Sequence, residues 1–297
     1  MSFRLKHRES IPKGVKRIVR ECLCEATAAL GMCTASSDAD VHEARKHFRK
    51  ARAALRMVRG ELGAAAFNRE NKSVRDASRP LSEVRDAKVL IERLDALNDL
   101  SKGRVSSDGI ANLRHELVAR RRVARGRTIG DSDTLFSILR QARDVRRRSK
   151  RWPLWRRGWN AIEDGLGKVY KQGKAAMLNV RLQSTDETLH EWRKRAKDLR
   201  YELELLRNIC PVVMKRQAGQ AHQLTNLLGE DHDLAVMRSV VREVSQQGLC
   251  IEADALTGVI DQRRRVLQVR ASALGERIYK RKTKAFLRRL KRYWKGS

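Results

Sequence analysis

The chain has 297 residues, 66 Lys+Arg against 35 Asp+Glu, a formal net charge of +31 and a sequence pI near 10.9. Apolar residues make up 41% of it and aromatics 5%, which is enough for one large core or two ordinary ones and excludes a disordered chain, while no run of about 18 apolar residues exists to span a membrane. A charge of this size repels itself and implies a polyanionic partner: nucleic acid, an acidic membrane surface or a polyphosphate.

Helix formers dominate from end to end, and no segment alternates apolar and polar residues long enough for a strand. An all-α protein of about ten helices is expected. Charge interrupts every apolar stretch in Met1–Arg20, so no secretory signal is read there. The five cysteines, Cys22, Cys24, Cys33, Cys210 and Cys250, are odd in number, scattered and without a C-x-x-C pair. They fit a reducing, cytoplasmic setting, with Cys22 and Cys24 on different faces of one helix. Pro12, Pro80, Pro153 and Pro211 each stand where a periodic segment begins or ends. Loops with Ser or Asp in N-cap position are expected at Ser36-Ser37-Asp38, Ser106-Ser107-Asp108-Gly109 and Gly130-Asp131-Ser132-Asp133.

An internal repeat organises the chain. Residues 41–59 and 189–207 align at an offset of 148 with seven identities: His42/His190, Glu43/Glu191, Arg45/Arg193, Lys46/Lys194, Arg52/Arg200, Leu55/Leu203 and Arg59/Arg207. Further on, Leu81–Val89 resembles Leu228–Val236, which aligns Arg85 with His232 and Asp86 with Asp233. A weaker third match pairs Arg120–Val123 with Arg263–Val266. Three matches in one order predict two copies of a helical unit, about 10–150 and 155–297, joined near Arg151-Trp-Pro-Leu-Trp155. Trp152, Trp155, Trp159 and Trp192 read as core or junction anchors.

On a helical wheel of about 100° per residue, Arg45, Lys46, Arg49, Arg52 and Arg56 fall within roughly 80° of His42. Val41, Ala44, Phe48, Ala51, Leu55 and Val58 take the other side. In the second copy His190, Arg193, Lys194, Lys197 and Arg200 form one stripe, and Leu189, Trp192, Ala196, Leu199, Leu203 and Leu206 the other. An ordinary solvated helix face interleaves both signs, because like charges three or four apart destabilise a helix. Two stripes with no acid on them therefore read as a ladder for an extended chain of phosphates, Arg forking onto two oxygens and Lys supplying a mobile charge. His42 and His190, set among cations, are expected to have depressed pKa values until an anion arrives.

Other chemistry finds little purchase. H-E-x-x-H zinc sites need a second His where Lys46 and Lys194 stand. Gly167-Lys168-Val169 and Gly173-Lys174-Ala175 lack the flanks of a phosphate-binding loop, and no nucleophile elbow is present. Neither a metal nor a cofactor is required by the motifs. Asp86 and Asp233 are expected to pair with a nearby Arg or to cap a helix.

The order His-Glu-x-Arg-Lys, then Leu-x-Glu-x-Arg/His-Asp, given twice, resembles the CHAD family (conserved histidine α-helical domain). Leu189-His-Glu-Trp-Arg-Lys-Arg-Ala-Lys-Asp-Leu-Arg-Tyr201 and the upstream Tyr170-Lys-Gln-Gly-Lys174 carry the likeness most closely. It spans about residues 10–290 and leaves no long extension for the triphosphate-tunnel (CYTH) domain often fused to this family. What the resemblance implies is a single domain of two pseudo-symmetric four-helix bundles with a central basic groove or pore, non-enzymatic binding of inorganic polyphosphate, and association with polyphosphate granules. It implies as lining residues His42, Arg45, Lys46, Arg49 and Arg52 with His190, Arg193, Lys194, Lys197 and Arg200; Arg85 and His232 are further candidates. Glu204 stands where the first copy has Arg56, so that end of the second stripe is expected to leave the ligand track. General nucleic-acid binding is the first alternative, and a metal-dependent hydrolase of phosphate polymers the second. The basic runs Arg146-Arg147-Arg148 and Lys280-Arg281-Lys282 exceed what one groove needs.

Overall fold

Prolines and polar caps set the helix boundaries in the computed structural model. It describes residues 3–6, 9–31, 37–101, 107–208, 211–247 and 253–295, with side chains except at 98–101 and 107–108. Cys33, Cys210 and Cys250, and the loop residues Ser36 and Ser106, lie outside the described residues. Twelve α-helices and one 3-10 turn (Gly158–Ala161) are present among the described residues, and no strand. In chain order they are α1 (Ile11–Gly31), α2 (Asp38–Met57), α3 (Arg59–Leu62), α4 (Ala64–Ser78), α5 (Pro80–Ser101), α6 (Ser107–Thr128), α7 (Ser132–Ser149), α8 (Glu163–Leu182), α9 (Asp186–Leu205), α10 (Pro211–Gln246), α11 (Ala253–Tyr279) and α12 (Thr283–Lys295). The all-α reading holds, with more helices than the ten expected.

Ser37 caps α2 through a reciprocal box with Asp40. Asp131 caps α7 by accepting from the amides of Asp133 and Thr134. Pro80 and Pro211 are the first residues of α5 and α10, where a missing N–H costs nothing. Pro80 also explains why two helices, α4 and α5, stand where the second half has the single 36-residue α10. Residues 152–157, around the expected junction, are not helical.

Helices α1, α2, α4 and α7 pack around one part of the core, each on its neighbour. Helices α8, α9, α10 and α11 pack in sequence, and α11 returns to α8. The α5–α6 hairpin lies between them: α5 touches α2 on one side and α10 and α11 on the other. Helix α2 also meets α8 and α9 directly, and α12 packs on α8. All twelve apolar wheel positions of the two repeated helices are buried, from Val41 to Val58 and from Leu189 to Leu206. Trp152, Trp159 and Trp192 are buried as expected, but Trp155 is 82% exposed and anchors nothing. Cys22 is buried and Cys24 exposed, as their spacing required.

One buried acid stands out. Glu202 is fully buried on α9, and neither of its carboxylate oxygens has a hydrogen-bond partner. Burial, reinforced by Asp198, pushes its pKa well above the usual carboxylate value. A raised folded-state pKa gives stability that is present at low pH and lost as pH rises past the unfolded value. Glu202→Gln should therefore stabilise the protein at pH 8 and match the wild type near pH 4. The gain should grow by up to about 1.4 kcal/mol per pH unit. Thermal melts across that range check it, and a variant less stable at pH 8 contradicts it.

Candidate polyanion-binding cleft

The polar faces of the two repeated helices turn toward one another. Between them opens a cleft of about 980 Å³, with α5 and α10 as its other walls. Helix α2 contributes His42, Arg45, Lys46, Arg49 and Lys50; α5 contributes Arg85, Asp86 and Arg93; α9 contributes Arg193, Lys197, Arg200 and Glu204. Lys215, His222, Glu230 and Asp233 come from α10, and Arg207 from the turn after α9. The lining holds eleven Lys/Arg against four Asp/Glu, an excess of seven positive charges with histidines neutral.

Paired and unpaired cations can be distinguished. Arg45 and Arg193 are ion-paired with acids of the lining: Arg45 Nη1 lies 3.3 Å from Asp86, the exposed partner of that pair, and Arg193 Nη2 lies 3.7 Å from Asp233. Arg93 reaches the same Asp233 at 3.6 Å. This is the pairing expected for Asp86 and Asp233, and it recurs at matching positions of the repeat. Arg49, Lys197 and Arg200 form no hydrogen bond or ion pair among the described residues; Arg200 lies over the Tyr201 ring at 5.3 Å. Burial, with Arg193 and Arg49 close by, holds the half-buried Lys197 ammonium well below the ordinary lysine pKa. Arg45 Nε, Arg85 Nη1, Arg93 Nε and Arg193 Nε are buried without a hydrogen-bond acceptor. Arg93 Nε and Arg85 Nη1 instead face the carboxylates of Asp233 and Glu92 at 3.6 and 3.7 Å, which leaves the Nε atoms of Arg45 and Arg193 as donors with neither a hydrogen bond nor an ion pair among the described residues, an uncommon state for buried donors.

The matched histidines also meet matched partners. Arg85 Nε donates to His42 Nδ1 at 3.2 Å. At the equivalent place His190 and His232 bring their Nδ1 atoms within 3.2 Å, rings 4.5 Å apart. The pKa values of His42 and His190 are lowered, by burial first and then by Arg85 for His42 and Lys194 and Arg193 for His190. His232 falls to about 3 through burial and then the charge of Arg193. The direction matches the sequence expectation, but burial outweighs like-charge repulsion. An anion that draws Arg85 away frees His42 Nδ1 for a proton. Polyanion binding should then take up protons near pH 6.5, and affinity should rise as pH falls through that value. Calorimetry in two buffers of different ionisation enthalpy checks this, and His42→Asn should reduce the uptake.

Not every predicted residue lines the cleft. Lys194 is exposed outside the lining and pairs with Glu191 at 2.6 Å, while Lys46, which does line the cleft, pairs with Glu43 at 3.0 Å. The acid of each His-Glu pair thus neutralises a stripe lysine from the side, which the wheel did not bring out. Arg52 donates to Asn71 at 3.0 Å, and Arg56 pairs with Asp198 at 3.0 Å; both lie beyond the cleft. His190 and His232 adjoin it through Arg193 rather than lining it. The expectation for Glu204 is reversed, since it lies in the lining while Arg56 does not. Arg4 and Arg207 neutralise Glu204 at 3.0 and 3.1 Å. Arg4 belongs to an N-terminal strap held by the amide of Leu5 donating to the Leu205 carbonyl at 3.1 Å. Sequence reasoning missed Lys50, Arg93, Arg207, Lys215 and His222, which lie off the repeated stripes or outside the repeated helices.

The chain matches the CHAD domain family over residues 17–242. It belongs to the CHAD family. No curated protein is found to be similar to it. In this CHAD domain the repeat is therefore legible as contacts: His42 to Arg85 and Arg45 to Asp86 in one copy, His190 to His232 and Arg193 to Asp233 in the other. Among the described residues no three His, Cys, Asp or Glu side chains converge as a metal-binding group, and no helix is long and apolar enough to cross a membrane.

Proposed function

We propose that this CHAD protein binds inorganic polyphosphate, without turning it over, along the cleft between α2 and α9. The observation that carries the reading is the set of unpaired cations Arg49, Lys197 and Arg200 in one cleft with Arg45 and Arg193, whose Nε atoms have no acceptor among the described residues. A chain of phosphates supplies acceptors at every repeat, and arginine holds phosphate oxygens in pairs. The family's association with polyphosphate supports it. The two repeat halves act as one ligand-binding unit with a pseudo-twofold relation through the cleft, and the protein works in the cytoplasm at polyphosphate granules.

One feature favours phosphate over bases, and another favours binding over hydrolysis. Phe3 and Tyr201 are the aromatic residues of the lining, and they meet edge to face at 6.0 Å with Phe3 buried, so no stacked platform faces the cleft. The carboxylates Asp86 and Asp233, which a metal-dependent hydrolase would use, are already engaged by arginines. Titration with long-chain polyphosphate at near-physiological salt should show tighter binding than single-stranded DNA of equal charge. No orthophosphate should appear with added Mg²⁺ or Mn²⁺. Equal affinity for the DNA contradicts the phosphate-specific reading, and phosphate release contradicts the binding-only one.

A further inference from the structure

The charge left over by the cleft is not spread evenly. Part of the Arg146-Arg147-Arg148 run is structural: Arg148 turns inward to the fully buried Glu70 at 2.9 Å. Arg146 and Arg147 face outward. They line a groove of about 960 Å³ between α1 and α7. Helix α1 packs on α2, whose apolar Val41, Phe48 and Leu55 are buried while its opposite side lines the cleft. The groove shares no residue with the cleft.

We propose that this α1–α7 groove is a second track for inorganic polyphosphate. The inference rests on the proposed function for its choice of ligand, but not for its site. Eight Lys/Arg and two acids line the groove. On α1 the cations run Lys13, Lys16/Arg17, Arg20; on α7 they run Arg143, Arg146/Arg147, Lys150. Both ladders step three and four residues, so each stacks like charge on one helix face and faces the other ladder across the groove. The two acids are already used. Glu21 pairs with Arg17 at 3.1 Å, a guanidinium that Glu9 also holds at 2.7 Å, and Asp144 pairs with Arg147 at 3.0 Å, so Arg17 and Arg147 are neutralised within the protein and, among the described residues, the other six cations are not. Lys13, Arg20, Arg143 and Arg146 are exposed, and their side chains form no hydrogen bond or ion pair among the described residues.

Helix packing does not require these charges. The groove between α8 and α12, the corresponding pair in chain order, is lined by three cations, two acids and Leu287, a near-balanced set. The α1–α7 groove has no aromatic side chain in its lining, so it offers grip on phosphates and nothing for bases to stack on. Two tracks in one molecule make it divalent. A long polymer then bridges molecules and gathers them, whereas a short one fills each track separately.

The test uses the full chain and two variants. One carries Lys13→Glu, Arg20→Glu, Arg143→Glu and Arg146→Glu; the other carries Arg49→Ala, Lys197→Ala and Arg200→Ala. Calorimetry with short-chain polyphosphate should give two bound chains for the wild type and one for each variant. Light scattering with long-chain polyphosphate should rise for the wild type and fall at least tenfold for the groove variant. Glutamine replacements at the same four positions repeat the comparison if charge reversal lowers the melting temperature. A groove variant that keeps two bound chains overturns the proposal. So does a wild type that binds one chain, lost only in the cleft variant, and that outcome leaves the cleft reading standing. One chain lost only in the groove variant overturns the cleft reading and supports this one. Single-stranded DNA of equal charge displacing polyphosphate from the groove overturns the assigned ligand.

Discussion

Replacing Arg49, Lys197 and Arg200 together by alanine should lower affinity for polyphosphate in the cleft about a hundredfold or more at low salt. That magnitude follows from charge-assisted hydrogen bonds at roughly 1.5–3 kcal/mol each, discounted because the three act on one polymer. The salt dependence should also flatten. On a single-stranded polyanion the slope of log K against log salt falls by about 0.7 for each phosphate the protein no longer neutralises. These three are chosen because they form no ion pair within the protein, so their removal leaves no carboxylate stranded. Arg45 and Arg193 would be poorer choices. Both are largely buried and ion-paired, so removing either leaves a void and an acid without its partner and mixes a packing defect with a binding one. Competition titration at two or more salt concentrations reads both quantities. A variant with wild-type affinity and slope contradicts the assignment of these cations.

The second large effect concerns stability. Arg264 Nε donates to Asp231 at 3.0 Å, with the two side chains 5% and 2% exposed. The same guanidinium also bonds Asp186, the first residue of α9, and Gln268 donates to Asp231 at 2.8 Å. This network ties α10 and α11 to the start of the helix that carries His190. Removing one member leaves a buried charge without its partner, so Arg264→Ala should cost roughly 3–5 kcal/mol in chemical denaturation. The double variant Arg264→Met with Asp231→Leu should recover most of that loss, because apolar groups of similar size avoid the desolvation penalty. An Arg264→Ala protein within about 1 kcal/mol of wild type would show the pair to be dispensable.

The helices and their apolar faces were readable because period and burial coincide: each of Val41, Ala44, Phe48, Ala51, Leu55 and Val58 is where the wheel puts it. The repeat was readable because identical side chains recur in one order. It led to the expectation that Asp86 and Asp233 pair with a nearby Arg or cap a helix, but not that the partners are Arg45 and Arg193 or which cations those acids leave free. The wheel failed at the ends of the stripes. It treats a helix face as uniform along its length, whereas Arg52 and Arg56 lie beyond the cleft beside Asn71 and Asp198. Glu204 was misjudged because its neutralising partner Arg4 is 200 residues away in sequence. Arg93, Lys215 and His222 enter the cleft from α5 and α10, whose approach depends on tertiary packing that no local pattern encodes. The basic α1–α7 groove escaped for the same reason, since each ladder on its own resembles a solvated face.

The most direct test of the central claim is a crystal structure of the protein with short-chain polyphosphate. A continuous run of phosphates should lie between α2 and α9, with oxygens within hydrogen-bond distance of Arg49, Lys197 and the orphaned guanidinium nitrogens of Arg45 and Arg193. A cleft without phosphate in crystals that hold the polymer elsewhere on the molecule would contradict it.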